Sequence, residues 1–430
     1  MRRTGAVISI LALAVIVAAA ALWLIRTPEI LPLNAPPASS GFAPSLVARG
    51  AQLAAAGACN SCHTVGTRSL SGGVRFSTPF GTLYSTNITP DPRAGIGLWS
   101  ETAFVRAMRM GVSRDGNQLY PVFPYDHFRL LSDADLHALY AWTMTRAPLR
   151  SEPRGNALHF PFNVRPLLKL WKLFFLKAPM QSAADSSARG IYLTEGLAHC
   201  GACHTHRNLL GAERDSDPLS GGEVDGWEAY ALNGQSVAPV PWTADALFKY
   251  LHDGWDAEHG VAYGPMAAVI AELRHAAPSD VREIARAVAA RMPRRAAAAP
   301  PSAAAPDRSS RGAAVFAATC VNCHDGSRTL PFGGIALQYS SAVSSPSPRN
   351  LIRLVLHGIA ATDGVPSAIM PGFDGAISDG DLMSLLQYVR VQFSQRPAWG
   401  DLEQEIAGVR KAGAGEEPHR AEPGALRDGD

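Results

Sequence analysis

The pattern of apolar and polar positions opens with a block. Residues 1–26 read MRRTGAVISILALAVIVAAAALWLIR: two arginines, then an apolar run over 5–25 in which Ser9 is the one polar side chain. A helix of that length rises about 30 Å, the thickness of the hydrocarbon core of a bilayer. The pattern therefore predicts a transmembrane helix over 1–26, with the arginine end in the cytoplasm. Small residues at Ala19, Ala20 and Ala21 also suit a signal-peptidase site. A retained anchor and a cleaved leader both stand, and either would export the rest of the chain. Residues 27–44 are rich in Pro, Ala and Ser and read as a linker.

Beyond the linker a helical theme occurs three times. Its openings are ARGAQLAAAGAC, ARGIYLTEGLAHC and SRGAAVFAATC, with Arg-Gly pairs at Arg49-Gly50, Arg189-Gly190 and Arg311-Gly312. Its closings are the amphipathic stretches SDADLHALYAWTM, PSDVREIARAVAARM and SDGDLMSLLQYVR. Ser132, Ser279 and Ser378, each followed by acidic residues, read as N-caps. A glycine on the opening helix lets the closing helix approach closely. The repeat predicts modules over 45–146, 188–293 and 311–396. Residues 294–310 (RRAAAAPPSAAAPDRSS) form a flexible linker, and 397–430 a polar C-terminal tail. The segment 147–187 differs. It contains HFPFNVRPLLKLWKLFFLK, where Pro166 suits a first helical position and Arg165, Lys169 and Lys172 form a basic stripe on an apolar helix. That helix reads either as a core element clamping two modules or as one lying on a membrane surface or partner.

The cysteines add chemistry to this frame. The chain has six, in three copies of one pattern: CNSCH (Cys59, Cys62, His63), CGACH (Cys200, Cys203, His204) and CVNCH (Cys320, Cys323, His324). C-x-x-C-H is the attachment signature of c-type haem: the two thiols bond the porphyrin and the adjacent imidazole faces the iron. Structural zinc needs two such pairs close together, and a redox dithiol has no need of the histidine. Three covalently bound haem c groups are expected, with His63, His204 and His324 as proximal ligands. The flanking His199 and His206 read as surface residues.

One axial position per iron remains. Met266 in YGPMAAV and Met370 in AIMPGF each sit beside a proline in a loop before the closing helix, and both are candidate thioether ligands. Met292 and Met383 fall on helices and read as core. In the first module His127, in YPVFPYDHF, stands at nearly the same offset from its motif as Met266 does. Met108, Met110 or Met144, or an open iron, are the alternatives there.

Charge narrows the partners. Lys and Arg total 39 against 37 Asp and Glu, a net +2, so no nucleic acid is expected. Every cysteine belongs to a motif, which agrees with an oxidising compartment outside the cytoplasm.

From about residue 49 to 390 the chain resembles the tri-haem cytochrome c subunits of membrane-associated bacterial dehydrogenases. The matching stretches are GTLYSTNITPDPRAGIGLWSETAFVRAMRMGVSRDG, YPVFPYDHF, HCGACHTHRNLLGAE, GGEVDGWEAYALN and IMPGFDGAISD. The resemblance implies a mainly α fold of three tandem cytochrome c domains after an N-terminal transmembrane helix, at the periplasmic side of a bacterial inner membrane. It implies an electron-transfer subunit without catalysis of its own. Electrons would come from a catalytic dehydrogenase subunit, a quinoprotein, a flavoprotein or a molybdenum hydroxylase, and pass to quinone or another cytochrome. FPFNVRPLLKLWKLFF and the histidine of FPYDHF are most similar to the molybdenum-linked branch. Two other readings remain: a peroxidase-like haem enzyme with one open iron, and an oxidase-associated cytochrome.

Overall fold

The computed structural model describes residues 11–18, 21, 27–177, 186–292, 309–324, 332, 334–361, 367–394 and 396–413. They group into two compact units. The first comprises residues 1–50 and 71–182, the second 51–70 and 183–430. The main helices are α1 (Pro44–Ala56), α2 (Cys59–His63), α3 (Glu101–Met110), α4 (Asp133–Met144), α5 (Leu167–Phe175), α6 (Ser186–Tyr192), α7 (Ala244–Asp253), α8 (Pro265–Leu273), α9 (Pro278–Ala289), α10 (Arg311–Thr319), α11 (Arg349–His357), α12 (Asp379–Ser394) and α13 (Leu402–Gly413).

The expected fold class needs two corrections. Among the described residues no helix is long and apolar enough to cross a membrane. The described helical residues near the N-terminus are 11–18 and 21. Residues 1–10, 19–20 and 22–26 of the expected transmembrane helix lie outside the described residues. Nor is the chain built of helices alone. The first unit holds an antiparallel sheet of β1 (Arg75–Thr78), β2 (Gly81–Tyr84) and β3 (Ala157–Leu158). The second holds two hairpins, β4 (Gly222–Val224) with β5 (Trp227–Ala229), and β6 (Trp255–Asp256) with β7 (Gly260–Val261).

The Arg-Gly repeat is a helix-crossing device used three times. A Cβ on Gly50 would lie 2.1 Å from the Ala138 carbonyl oxygen on α4. On Gly190 it would lie 2.4 Å from that of Glu283 on α9, and on Gly312 2.1 Å from that of Ser384 on α12. Each opening helix thus rests backbone to backbone on its closing helix, a distance only glycine permits. The neighbouring arginine ties the same pair: Arg49 to Asp135 at 3.4 Å, Arg189 to Asp280 at 2.8 Å and Arg311 to Asp381 at 2.6 Å. All three aspartates lie in the first turn of the closing helix, where a carboxylate also suits the helix dipole.

Two of the three expected caps are present. Ser132 Oγ accepts from Asp135 N and Ser378 Oγ from Asp381 N, both at 3.1 Å. Ser279 is not a cap. α9 begins one residue earlier, with Pro278 as its first helical residue and Ala277 at the N-cap, because proline presets the helical φ and lacks the N–H a cap would satisfy. The stretch read as a polar tail contains α13. Leu402, Ile406 and Val409 pack into a core with Phe316, Ile352, Leu382 and Leu386. Arg410 pairs with Asp374 and Asp379, both at 2.6 Å.

The crossing has a direct test. Gly312→Ala forces the α10 and α12 backbones apart and is expected to cost about 1–3 kcal/mol, the usual range for overpacking. Gly380→Ala on α12 meets nothing within 4 Å and is expected to be neutral or stabilising by up to about 1 kcal/mol. Urea unfolding of the two variants checks the contrast.

Candidate haem-binding site

The second unit holds all three C-x-x-C-H motifs. In each, the histidine ends a short helix: α2 for His63, the turn Gly201–His204, and the turn Val321–His324.

The second motif is held mostly by backbone. Gly221 N donates to the His204 carbonyl at 2.8 Å, and Leu219 N to Thr205 Oγ1 at 3.0 Å. Gly222 lies so close beneath the motif that a Cβ there would sit 2.3 Å from the Cys203 carbonyl oxygen. The hairpin β4–β5 follows, closed by Asp225 and Gly226 with φ of 47° and 73°. It returns the chain so that the Tyr230 carbonyl accepts from His204 Nδ1 at 2.6 Å. That bond fixes the tautomer, leaving Nε2 as the lone-pair nitrogen. Burial lowers the His204 pKa and keeps the ring neutral, as a metal ligand must be.

The same hairpin reaches the third motif's core. Glu228 N donates to Asn350 Oδ1 and Asn350 Nδ2 donates to the Glu228 carbonyl, both at 2.9 Å. Ser345 Oγ donates to the Glu228 carboxylate at 2.8 Å, and the Arg353 guanidinium lies 5.5 Å from the centre of the Trp227 ring. The Tyr230 and Tyr263 hydroxyls meet at 3.1 Å. Burial pushes the Tyr263 phenol up to about 12 and Tyr230 well above its usual range, so both stay protonated.

Between these elements lies a cavity of about 620 Å³, predominantly apolar. Cys200, Cys203, His204 and Met266 line it, and so do Cys320, Cys323, His324 and Met370. The structure thus brings together, for the second and third motifs, both cysteines, the histidine and the expected thioether. Met266 is not in a loop as expected but in the first turn of α8, behind Pro265 at its N-terminus. Met370 is fixed by a two-bond bridge with Ile359, at 2.8 and 3.0 Å. The His324 ring nitrogen Nδ1 is buried beside the Ile335 backbone without meeting it in hydrogen-bond geometry among the described residues; burial lowers the pKa of this ring also.

The first motif joins this group through α8. Asn60, inside CNSCH, donates from Nδ2 to the Glu272 carboxylate at the far end of α8 at 3.0 Å, and its Oδ1 accepts from Ser69 and Thr64 at 2.8 and 3.2 Å. The helix that carries Met266 in its first turn therefore ends on the first motif. In the first unit, His127 lies on the short helix Tyr125–Phe128, Met108 is buried on α3 and Met144 on α4, and Met110 is half exposed. His206 is exposed as expected. His199 is not a surface residue: it is half-buried at a positive φ of 37°, lines the cavity, and its Nε2 lies 3.2 Å from the Gly57 carbonyl oxygen. The backbone turn into the motif, which the sequence pattern does not display, carries it inward.

None of the six cysteines is in a disulfide. Burial pushes Cys59 up to about 12, with Glu272 and then Cys62 adding to it; it pushes Cys200 to about 11 and Cys203 to about 12. Low-pKa thiolates, the mark of reactive dithiols, are not what this site holds.

Residues 307–389 match the family model described as cytochrome c oxidase, cbb3-type, subunit III. Over 397 residues the chain is 34% identical to the gluconate 2-dehydrogenase cytochrome c subunit of Pantoea cypripedii, covering 85% of this chain and 90% of that one. The chain belongs to the cytochrome c subunits of bacterial dehydrogenases. It is also 33% identical to the fructose dehydrogenase cytochrome subunit of Gluconobacter japonicus over 402 residues, 84% of this chain and 82% of that protein. With a nicotinate dehydrogenase subunit of Pseudomonas putida it shares 46% identity over 396 residues, 89% of this chain; this cytochrome c subunit spans only 33% of that longer relative. The site fits covalently bound haem c. At the second motif paired cysteines stand beside an imidazole whose second nitrogen is held by a carbonyl, and the space beside the second and third motifs is apolar.

The Glu272 carboxyl provides a pH test. Burial, ahead of the Asn60 hydrogen bond, raises its pKa above the ordinary 4.5. The folded protein then holds this proton more tightly than the unfolded chain, so stability falls as pH rises from 4.5 through the raised value. Glu272→Gln should be more stable than wild type at neutral pH, with the difference vanishing below pH 4.5. Urea unfolding at both pH values measures it.

Proposed function

We propose that this cytochrome c subunit carries three haem c groups and conducts electrons through them from a catalytic dehydrogenase subunit to quinone or a downstream cytochrome. The observation that carries this reading is the single cavity lined by two complete sets of haem-binding side chains. Haem c, when bound, would supply one-electron chemistry between ferric and ferrous iron. The chain's own part is to hold and space the groups. Cys59, Cys62, Cys200, Cys203, Cys320 and Cys323 would anchor the porphyrins, His63, His204 and His324 would ligate the irons, and Met266 and Met370 would supply the further ligand at the second and third sites. The β4–β5 hairpin and α8 keep these sites in one unit, which supports transfer along the chain without the departure of a carrier.

The partner acts on an N-heterocycle and is of the molybdenum hydroxylase class. The higher identity to the nicotinate dehydrogenase relative, 46% against 34% for the gluconate enzyme's cytochrome, supports that branch. The protein works at the periplasmic side of a bacterial inner membrane, since bacterial haem c is attached outside the cytoplasm.

Carbon monoxide tests the ligation. With His/Met pairs at the second and third sites, these reduced haems take up no carbon monoxide, and Met370→Ala opens one iron per chain to it. Carbon monoxide binding at all sites in the wild type, or none gained in Met370→Ala, contradicts the assignment.

A further inference from the structure

Tyr230 serves the second site at both of its ends. Its carbonyl accepts from His204 Nδ1 at 2.6 Å, and its hydroxyl meets the Tyr263 hydroxyl at 3.1 Å. Tyr263 stands three residues before Met266. One residue just after β5 therefore reaches the imidazole through its backbone and the approach to the thioether through its side chain. His204, Met266 and both tyrosines line the same cavity.

The segment entering α8 needs such a hold. The hairpin β6–β7 before it pairs two residues on each strand, too few to be stable by itself. Ala262 N donates to the Gly254 carbonyl at 3.1 Å, and the chain then lies against β5. The Tyr263 ring packs on the Trp227 ring with centroids 5.5 Å apart. Gly264 turns with a φ of 57°, so close to Trp227 that a Cβ would sit 2.8 Å from the indole. Pro265 then starts α8, with Met266 in its first turn. Apolar contacts of this kind are non-directional. They press the segment onto β5 without fixing how it turns, and the hydroxyl pair supplies the direction. A methionine side chain has three rotatable bonds, so the reach of its sulfur is set by the backbone beneath it.

The bond is also built to persist. Asn350 holds the Glu228 backbone by two bonds of 2.9 Å, two residues before Tyr230, and burial keeps both phenols protonated. Attachment of haem through two thiols and a histidine uses neither hydroxyl. A pair of phenylalanines would fill the same apolar wall, so packing alone does not account for them.

We infer that the Tyr230–Tyr263 hydroxyl pair is the positioning device of the second site: it holds the turn that carries Met266 in register with His204 and so sets the strength of the thioether–iron bond. The inference rests on the reading of Met266 as the further ligand of the second haem.

The test is imidazole titration of the ferric full-length holoprotein, followed by loss of the deep-red charge-transfer band of thioether-ligated haem. Met266→Ala removes the second site's share of that band and so identifies it. In Tyr263→Phe this share should be displaced at about three- to tenfold lower imidazole, the worth of one neutral hydrogen bond. The midpoint potential of one haem should fall with it, since thioether ligation raises the potential. Tyr230→Phe removes the same bond from its other end and should give the same shift, and the double variant no more than either single one. Unchanged displacement in Tyr263→Phe overturns the inference, as does an equal shift in the rest of the band, which would report general loosening. If Met266→Ala leaves the band whole, the ligand reading fails and the inference falls with it.

Discussion

One hydrogen bond organises the second unit: His204 Nδ1 to the Tyr230 carbonyl, 2.6 Å. It orients the imidazole and fixes its tautomer, and its acceptor belongs to the strand-end of a hairpin that is itself locked onto the motif. Because the acceptor is a backbone atom, its position is set by the β4–β5 register and not by a side-chain rotamer. The following bonds of the same hairpin, Glu228 with Asn350 and Tyr230 with Tyr263, carry that rigidity to the core around the third motif. Two haem-binding sets can share one cavity only while this hairpin holds.

A second device sets the scale of the repeat. Each opening helix meets its closing helix at a glycine, and the adjacent arginine reaches the first-turn aspartate of that closing helix. The glycine permits the approach and the ion pair fixes the rotation. These half-buried or exposed arginines contribute modestly as charges; their value lies in register. α13 adds an apolar ridge over the third core, so the C-terminal segment stabilises the helices around it.

The sequence made the chemistry easy to read and the connections hard. Three C-x-x-C-H motifs specify haem attachment locally, because thiol and imidazole spacing is a property of a few residues. Arg-Gly and the Ser-x-x-Asp starts of two closing helices were also visible. The close approach of the two helices at the glycine was legible too, but the pairing of each arginine with its aspartate was not, since it joins residues about 70 to 90 positions apart. The β4–β5 hairpin was missed although Asp225-Gly226 is a strong two-residue turn signal; its strands of three residues are too short to show alternation. α13 had its signal in Leu402, Ile406 and Val409, hidden by the polar residues around it. Ser279 misled because the preceding proline had already started the helix. For α5 the basic stripe was seen, but not that Lys172 points inward, which depends on acceptors at Met110, Gly111 and Gln118.

The proposed path of electrons along this chain rests on three haems joined covalently to one polypeptide. Intact-mass spectrometry of the denatured holoprotein measures this most directly. The expected result is a chain heavier than its polypeptide by three haem groups, with all three motif peptides mapped with haem attached. A mass increment of two haems or fewer in fully matured protein, or an unmodified CNSCH, CGACH or CVNCH peptide, would contradict it.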